Sequence, residues 1–145
     1  MSYSVDVNVL LYASDQSSPQ HYAAVLFLKR CETDPDIFFL SWPTIFSYLR
    51  ISTHPRVFAD PLSPREALAN VEGLLKLPRV RTMSEGEDFI DVYREVSGRI
   101  PVRGNLVPDA HLAALLLQNG IRILYTTDTD FRKFDFLDVR DPFRR

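Results

Sequence analysis

Short apolar runs alternate along this chain with longer segments in which apolar residues recur every three to four positions. The short runs have the length of buried strands, and the longer segments have the spacing of one helix face. The predicted strands are residues 2–6, 36–41, 79–83, 121–127 and 134–139, and the predicted helices begin near residues 8, 19, 42, 64, 89 and 108. Strands that alternate with helices predict an α/β fold, in which a mostly parallel sheet is covered by helices on both faces.

Two helices carry more specific expectations. Ser63, Pro64 and Glu66 have the identities of an N-cap, a first-turn proline and the glutamate of a capping box, so a helix should begin at residue 64. In the preceding helix, apolar residues at helical spacing predict one buried face. These residues are Trp42, Ile45, Phe46 and Leu49.

Composition narrows the class of protein. The chain has 145 residues, of which 46% are hydrophobic and 25% charged, so we expect a single globular domain over residues 1–145. Its only cysteine, Cys31, excludes an internal disulfide and fits a reducing cytoplasm. No apolar run approaches the ~20 residues that cross a bilayer. The net charge of −2 gives no general argument for nucleic-acid binding, so any such function must come from a local site.

Four aspartates are candidates for such a local functional site. Asp6 ends the first predicted strand, Asp109 opens a helix, Asp128 follows the strand 121–127, and Asp130 lies two residues further on. Each could simply cap a helix or turn. In a parallel sheet, however, these positions face the same edge, where like charges repel unless a divalent cation binds them. Mg²⁺ prefers such oxygen ligands and also accepts substrate phosphates, so metal-assisted phosphodiester hydrolysis is the predicted chemistry.

The segments "VDVNVLLYA", "WPTIFSYLRISTHPRVF", "VPDAHLAAL" and "YTTDTDFRKF", in this order, resemble the PIN-domain ribonucleases. They are most similar to the VapC-type toxins of type II toxin–antitoxin pairs, and the resemblance runs from Val5 to Pro142. It implies a three-layer α/β/α sandwich and Mg²⁺- or Mn²⁺-dependent endonucleolytic cleavage of a structured RNA in the cytoplasm. It also implies a small antitoxin partner, whose tail occupies the acidic groove, and a homodimer.

The resemblance also assigns roles to residues. Asp6, Asp109 and Asp128 would be the catalytic metal ligands, and Asp130 a further ligand, direct or through water. Asn8 would form a hydrogen bond within the site. Thr127 would orient a carboxylate or a water molecule from the second layer of contacts.

One position departs from the family pattern. Many members carry a glutamate on the third helix, where this chain has Ser47. A serine cannot replace the charge of a carboxylate, so one tightly held ion is expected rather than two, with Ser47 contacting a water molecule or Asp130 supplying the missing charge. Arg50, in the same helix, would contact a carboxylate or a phosphate, and we favour a salt bridge.

Two other readings compete with a nuclease. The missing glutamate could mark a degenerate PIN domain that binds RNA or a protein without cleavage. The "DTD" of residues 128–130 also resembles the nucleophile motif of aspartyl-phosphate phosphatases. Those enzymes place that motif after the first strand, where this chain has Asp6–Val7–Asn8 instead, so the phosphatase reading is weak.

Overall fold

The computed structural model describes residues 1–144, and within them it contains five β-strands and six α-helices. The strands are β1 (Tyr3–Val5), β2 (Phe38–Ser41), β3 (Val80–Met83), β4 (Ile123–Tyr125) and β5 (Asp138–Arg140). The helices are α1 (Val7–Ser14), α2 (His21–Thr33), α3 (Trp42–Ser52), α4 (Pro64–Leu75), α5 (Phe89–Gly98) and α6 (Leu106–Gln118). A 3₁₀ helix, Thr129–Lys133, lies between β4 and β5.

The strands form one sheet in the order β3-β2-β1-β4-β5, and every neighbouring pair is parallel. The chain moves from β1 outward through β2 and β3, then crosses back so that β4 pairs with the other side of β1. The strand order therefore reverses between β1 and β4. In open parallel sheets, ligands bind beyond the carboxyl ends of the strands at this point.

Helices cover both faces of the sheet, which confirms the predicted three-layer α/β/α architecture. One apolar cluster joins β1, β2 and the helices α1 to α4, and a second is built mainly from α5, α6 and the segment after β4. Ile123 belongs to the first cluster and its neighbour Leu124 to the second, because successive strand residues point to opposite faces. No helix within residues 1–144 has the length and apolar character needed to span a membrane.

The capping box is confirmed. The Ser63 hydroxyl accepts a hydrogen bond from the Glu66 backbone N–H at 3.1 Å, and the Glu66 carboxylate accepts one from the Ser63 N–H at 3.2 Å. Glycine is suited to the end of α6, because Gly120 has a φ of +72°, in the left-handed region.

The predicted buried face of α3 is wrong in part. Trp42 and Phe46 are 39% and 62% exposed, whereas Ile45 and Tyr48 are buried. Apolar spacing alone fits two adjacent stripes of this helix, and the packing of α1 and α4 selects the stripe through Ile45 and Tyr48.

The last strand begins later than predicted, at Asp138. Phe134 and Leu137, which were predicted to lie in this strand, fill the core from irregular backbone instead.

Candidate active site

Asp6 lies at the carboxyl end of β1, where the strand order reverses. Its backbone N–H donates to the Tyr125 carbonyl at 3.1 Å, which continues the β1–β4 pairing by one residue. The Asp6 side chain, only 7% exposed, makes no capping bond to α1. Its Oδ2 instead accepts hydrogen bonds from Thr126 Oγ1 at 2.9 Å and from Asn8 Nδ2 at 3.4 Å. The Asp6 side chain therefore does not cap α1, which was the structural alternative for this residue.

Thr126 connects the first and fourth strands through its buried hydroxyl. Besides donating to Asp6, this hydroxyl accepts a hydrogen bond from the Asp128 backbone N–H at 2.9 Å. Thr127, the residue predicted from the sequence for this supporting role, is exposed and makes no side-chain hydrogen bond within residues 1–144. Two adjacent threonines look alike in a sequence, and only the direction of the chain after β4 distinguishes them.

Three further carboxylates gather beside this pair. One oxygen from each of Asp109, Asp128 and Asp130 lies within 4.8 Å of the other two. Asp109 comes from the first turn of α6, while Asp128 precedes the 3₁₀ helix and accepts a hydrogen bond from the Asp130 N–H at 2.9 Å. Asp128 therefore does cap the turn at residues 129–133, as the structural alternative for this residue predicted, but it uses only Oδ1 to do so. Lys133, 3.5 Å from Asp130, is the ion-pair partner seen for this cluster within residues 1–144.

The electrostatics of the site reflect this crowding. Burial, followed by repulsion from Asp128, Asp6 and Asp130, raises the pKa of Asp109 to about 6. Burial also raises the pKa of Asp6, although the hydrogen bond from Thr126 opposes the shift. Two unit charges 4.8 Å apart repel by about 1 to 3 kcal/mol near a protein surface. The metal-free arrangement is therefore unfavourable for the fold.

A cleft of about 270 Å³ opens onto two of these carboxylates. Asp6, Asp109 and the half-buried Ser47 line it, with Val107 and Pro43 on its apolar walls. Ser47 thus lies on the same cleft as two of the acidic groups, and the position contributes no charge. His111 also lines the cleft, and its Nε2 lies 2.7 Å from Glu85 Oε1, a contact that no pattern in the sequence predicts.

Arg50 is placed differently from the expectation. Its side chain is exposed, it does not line the cleft, and it forms no ion pair with any residue in the range 1–144. The predicted salt bridge is therefore absent from the part of the chain that the structure describes. Arg50 is in the last turn of α3, where a positive charge is favourable for the helix dipole without a carboxylate partner.

The donor set fits a hard divalent cation. Clustered carboxylate oxygens, with no sulfur or imidazole among them, are the ligands that Mg²⁺ and Mn²⁺ prefer. Asp109, Asp128 and Asp130 present converging oxygens, and Asp6 shares the cleft with Asp109. A cation there would also relieve the repulsion that raises the pKa of Asp109.

Comparison with known proteins identifies the family. A family model described as PIN domain matches residues 3–137, nearly the whole chain. The chain belongs to the PIN-domain family. Among curated proteins, this PIN domain is 43% identical over 143 residues to Ribonuclease VapC48 of Mycobacterium tuberculosis, with 99% of each chain covered. It is 33% identical over 138 residues to Ribonuclease VapC43 of the same organism, covering 95% of this chain and 93% of that one.

Solved structures agree on the fold. The PIN domain matches Mycobacterium tuberculosis VapC20, described as a sarcin–ricin loop cleaving toxin, with a TM-score of 0.70, 20% identity, and coverage of 95% and 98%. It also matches VapBC2 of Rickettsia felis, bound to a DNA fragment from its promoter, with a TM-score of 0.67, 14% identity, and coverage of 97% and 98%. At these identities the likeness concerns the fold alone.

Proposed function

We propose that this PIN domain is a divalent-metal-dependent endoribonuclease and the toxin of a type II toxin–antitoxin pair. The observation that carries the proposal is the cluster of Asp109, Asp128 and Asp130 oxygens, with Asp6 on the same cleft as Asp109 and close enough to raise its pKa. The identity of 43% and 33%, over nearly the whole chain, to two proteins named ribonucleases supports RNA as the substrate.

Asp6, Asp109 and Asp128 hold the cation in this proposal, and Asp130 ligates it directly or through a water molecule. A bound Mg²⁺ or Mn²⁺ supplies positive charge for the phosphate oxygens and makes a water molecule more acidic. One ion is proposed, because Ser47 brings no carboxylate to the cleft.

The surrounding residues keep this geometry. The Thr126 hydroxyl links Asp6 to the loop that carries Asp128, because it donates to the first residue and accepts from the second. Asn8 donates to the same Asp6 oxygen. Such bonds to the ligands orient their oxygens.

A structured RNA of the translation machinery is the proposed substrate class. Support comes from the described activity of the solved relative VapC20 on the sarcin–ricin loop. Protein recognition of RNA depends strongly on the shape of loops and ends, so a cleft at the sheet edge suits an exposed RNA loop. Such an RNA places the action of the protein in the cytoplasm.

The test uses the antitoxin-free protein and total cellular RNA. With Mn²⁺ the wild type should generate discrete new 5′ ends, whereas EDTA or Asp109→Asn should remove them. Asp60→Asn is the matched control, because it makes the same chemical change at an exposed carboxylate in the α3–α4 loop. Intact RNA after incubation of the wild type with Mn²⁺ would exclude the nuclease function.

A second candidate is a PIN domain that binds RNA or protein without cleaving it. The observation in its favour is Ser47, which leaves one position of the cleft without a charge. In that case Mn²⁺ would still raise the melting temperature, and RNA would bind, while no new 5′ ends would form.

A small antitoxin is the proposed protein partner, with a basic or aromatic tail in the acidic cleft. The solved neighbours VapBC2 of Rickettsia felis and VapBC-1 of nontypeable Haemophilus influenzae support such a pairing. A larger groove of about 440 Å³ between α1, α2 and α4 offers a further contact surface. Its lining is largely apolar and includes Leu10, Val25, Leu28 and Leu74, which suits the apolar face of a partner helix.

A homodimer is the proposed assembly. Trp42 and Phe46 are exposed on α3 with their ring centroids 6.3 Å apart. Val107, 41% exposed, lies on the cleft wall together with Pro43, the residue next to Trp42. An exposed apolar patch of this kind marks an interface, and pairing through it would bring two acidic clefts toward one groove.

A further inference from the structure

A smaller cavity, separate from the acidic cleft, lies beside Asp128. Its volume is about 210 Å³, and it is bounded by the segment after β4 and the segment after β5. Hydroxyl and guanidinium groups converge there: Thr127 and Thr129 from the first segment, Arg132 from the 3₁₀ helix, and Arg144 from the second. Asp128 lines the cavity as well as belonging to the metal cluster, so the two sites are adjacent.

The polar groups of this cavity are available for a ligand. Arg132 is exposed and forms no ion pair with any residue from 1 to 144. Thr127 and Thr129 are also exposed, and neither makes a side-chain hydrogen bond with another residue in the same range. Their hydroxyl groups are therefore free to donate.

Asp141 is the ion-pair partner of the second arginine. Its Oδ2 lies 3.5 Å from Arg144 Nε, and its Oδ1 accepts a hydrogen bond from the Phe143 N–H at 2.9 Å. The carboxylate thus anchors the turn after β5 and contacts Arg144 through Nε alone. The Arg144 side chain stays 86% exposed, and its terminal Nη groups are left to donate to a ligand. The carboxylates of Asp128 and Asp141 balance the charges of the two arginines, so the cavity offers an anion the hydrogen-bond donors of its arginines and threonines rather than an excess of positive charge.

We propose that Arg132, Arg144, Thr127 and Thr129 bind a phosphate of the RNA chain next to the one that is cleaved. The inference rests on the proposed ribonuclease function. It extends that function by assigning the path of the RNA backbone, which runs from the acidic cleft past Asp128 to this cavity. Arginine suits a phosphate because its planar fork donates two hydrogen bonds, and hydroxyl groups complete such contacts. A phosphate here also needs the arginines, since the neighbouring carboxylates repel it.

The test measures RNA binding in the Asp109→Asn background, in which the RNA stays intact. The probe is a short fluorescein-labelled single-stranded RNA of mixed sequence, followed by polarisation over a range of salt concentrations. Arg132→Ala and Arg144→Ala should each weaken binding about fivefold to tenfold. Each should also reduce the slope of log K against log salt by about 0.7, the value for one phosphate contact on a single strand.

Three controls separate this site from general charge effects. Arg65→Ala, an exposed arginine on α4, should leave both affinity and slope unchanged. Arg132→Lys should restore the salt slope but only part of the affinity, because lysine keeps the charge without the fork. In the parent chain with Asp109 intact, Arg132→Ala should leave the Mn²⁺-induced rise in melting temperature unchanged.

A final arm distinguishes an RNA phosphate from free phosphate. A series of RNAs is made, each with one phosphate replaced by an uncharged methylphosphonate. The replacement at one position should weaken binding to the Asp109→Asn parent. That replacement should cause no further loss in the Arg132→Ala variant, because the contact is already absent there. The proposal is overturned if Arg132→Ala and Arg144→Ala bind the probe as tightly as Arg65→Ala does, or if inorganic phosphate competes equally with all variants. Failure of the ribonuclease function would appear separately, as the absence of Mn²⁺-dependent cleavage by the wild type.

Discussion

Replacing Asp109 with asparagine should stabilise the metal-free protein and abolish its response to Mn²⁺. The pKa of Asp109 is about 6 in the folded protein, against an ordinary 3.8. The folded state therefore holds this proton more tightly than the unfolded state, so stability is lost as pH rises from about 4 through 6, and the loss is complete above pH 6. An asparagine side chain carries no charge and escapes this loss.

The magnitude follows from the shift. A difference of about two pKa units corresponds to about 3 kcal/mol, and because Asp109 is partly exposed, solvent screening reduces this to about 1–2 kcal/mol at neutral pH. For a chain of this size such a gain raises the melting temperature by about 3–6 °C. At about pH 2.8, one unit below the ordinary pKa of 3.8, aspartate is protonated in both states, and the stability that this proton shift removes at neutral pH is restored to the wild type.

Thermal unfolding followed by circular dichroism measures both effects. In EDTA at pH 7.5, Asp109→Asn should melt above the wild type and above the control Asp60→Asn. With Mn²⁺ at a hundredfold excess over its Kd, the wild type should gain about 2.7 kcal/mol, and Asp109→Asn should gain little. The reasoning is refuted if Asp109→Asn melts below the wild type in EDTA at pH 7.5, or if both gain equally from Mn²⁺.

Four further substitutions test other parts of the structure. Thr126→Val should cost about 1–3 kcal/mol in urea unfolding, because a buried Asp6 oxygen loses its donor, and an unchanged midpoint would contradict this bridge. Ser47→Glu should tighten Mn²⁺ binding in calorimetry, since it adds a carboxylate to the cleft, and weaker binding would count against that placement. Phe46→Arg should convert a dimer into a monomer in sedimentation velocity, whereas Val57→Arg, at another exposed residue, should not. Gly73→Leu should block antitoxin binding while RNA cleavage continues, because a Cβ at Gly73 meets nothing within 4 Å and the side chain enters the α1–α2–α4 groove; undiminished antitoxin affinity would exclude that groove.

Periodicity predicted the layers of the fold but not every packed face. The alternation of strands and helices was enough for the parallel sheet, and Ser63 with Glu66 was enough for the start of α4. The buried side of α3 was not predictable, because Trp42 and Phe46 are as apolar as Ile45 and Tyr48. Which stripe is buried depends on neighbouring helices that are distant in the sequence.

Asp6 and Asp128 could be selected from the sequence because each follows a strand of one parallel sheet, and Asp109 because it lies at the start of a helix. Their supporting contacts could not. The hydrogen bond from Thr126 to Asp6 joins residues 120 positions apart, and the His111–Glu85 contact joins residues 26 apart. Such contacts depend on side-chain directions that only the assembled fold defines, and the exposed position of Arg50 has the same origin.

The central claim is that Asp6, Asp109 and Asp128 together hold one divalent cation. The most direct measurement is the anomalous scattering of manganese in crystals of the antitoxin-free protein soaked in Mn²⁺. The account predicts a single strong anomalous peak in contact with oxygens of these three aspartates, and no peak there in Asp109→Asn crystals. A peak elsewhere on the chain, or crystals saturated with Mn²⁺ that show none between these carboxylates, would contradict it.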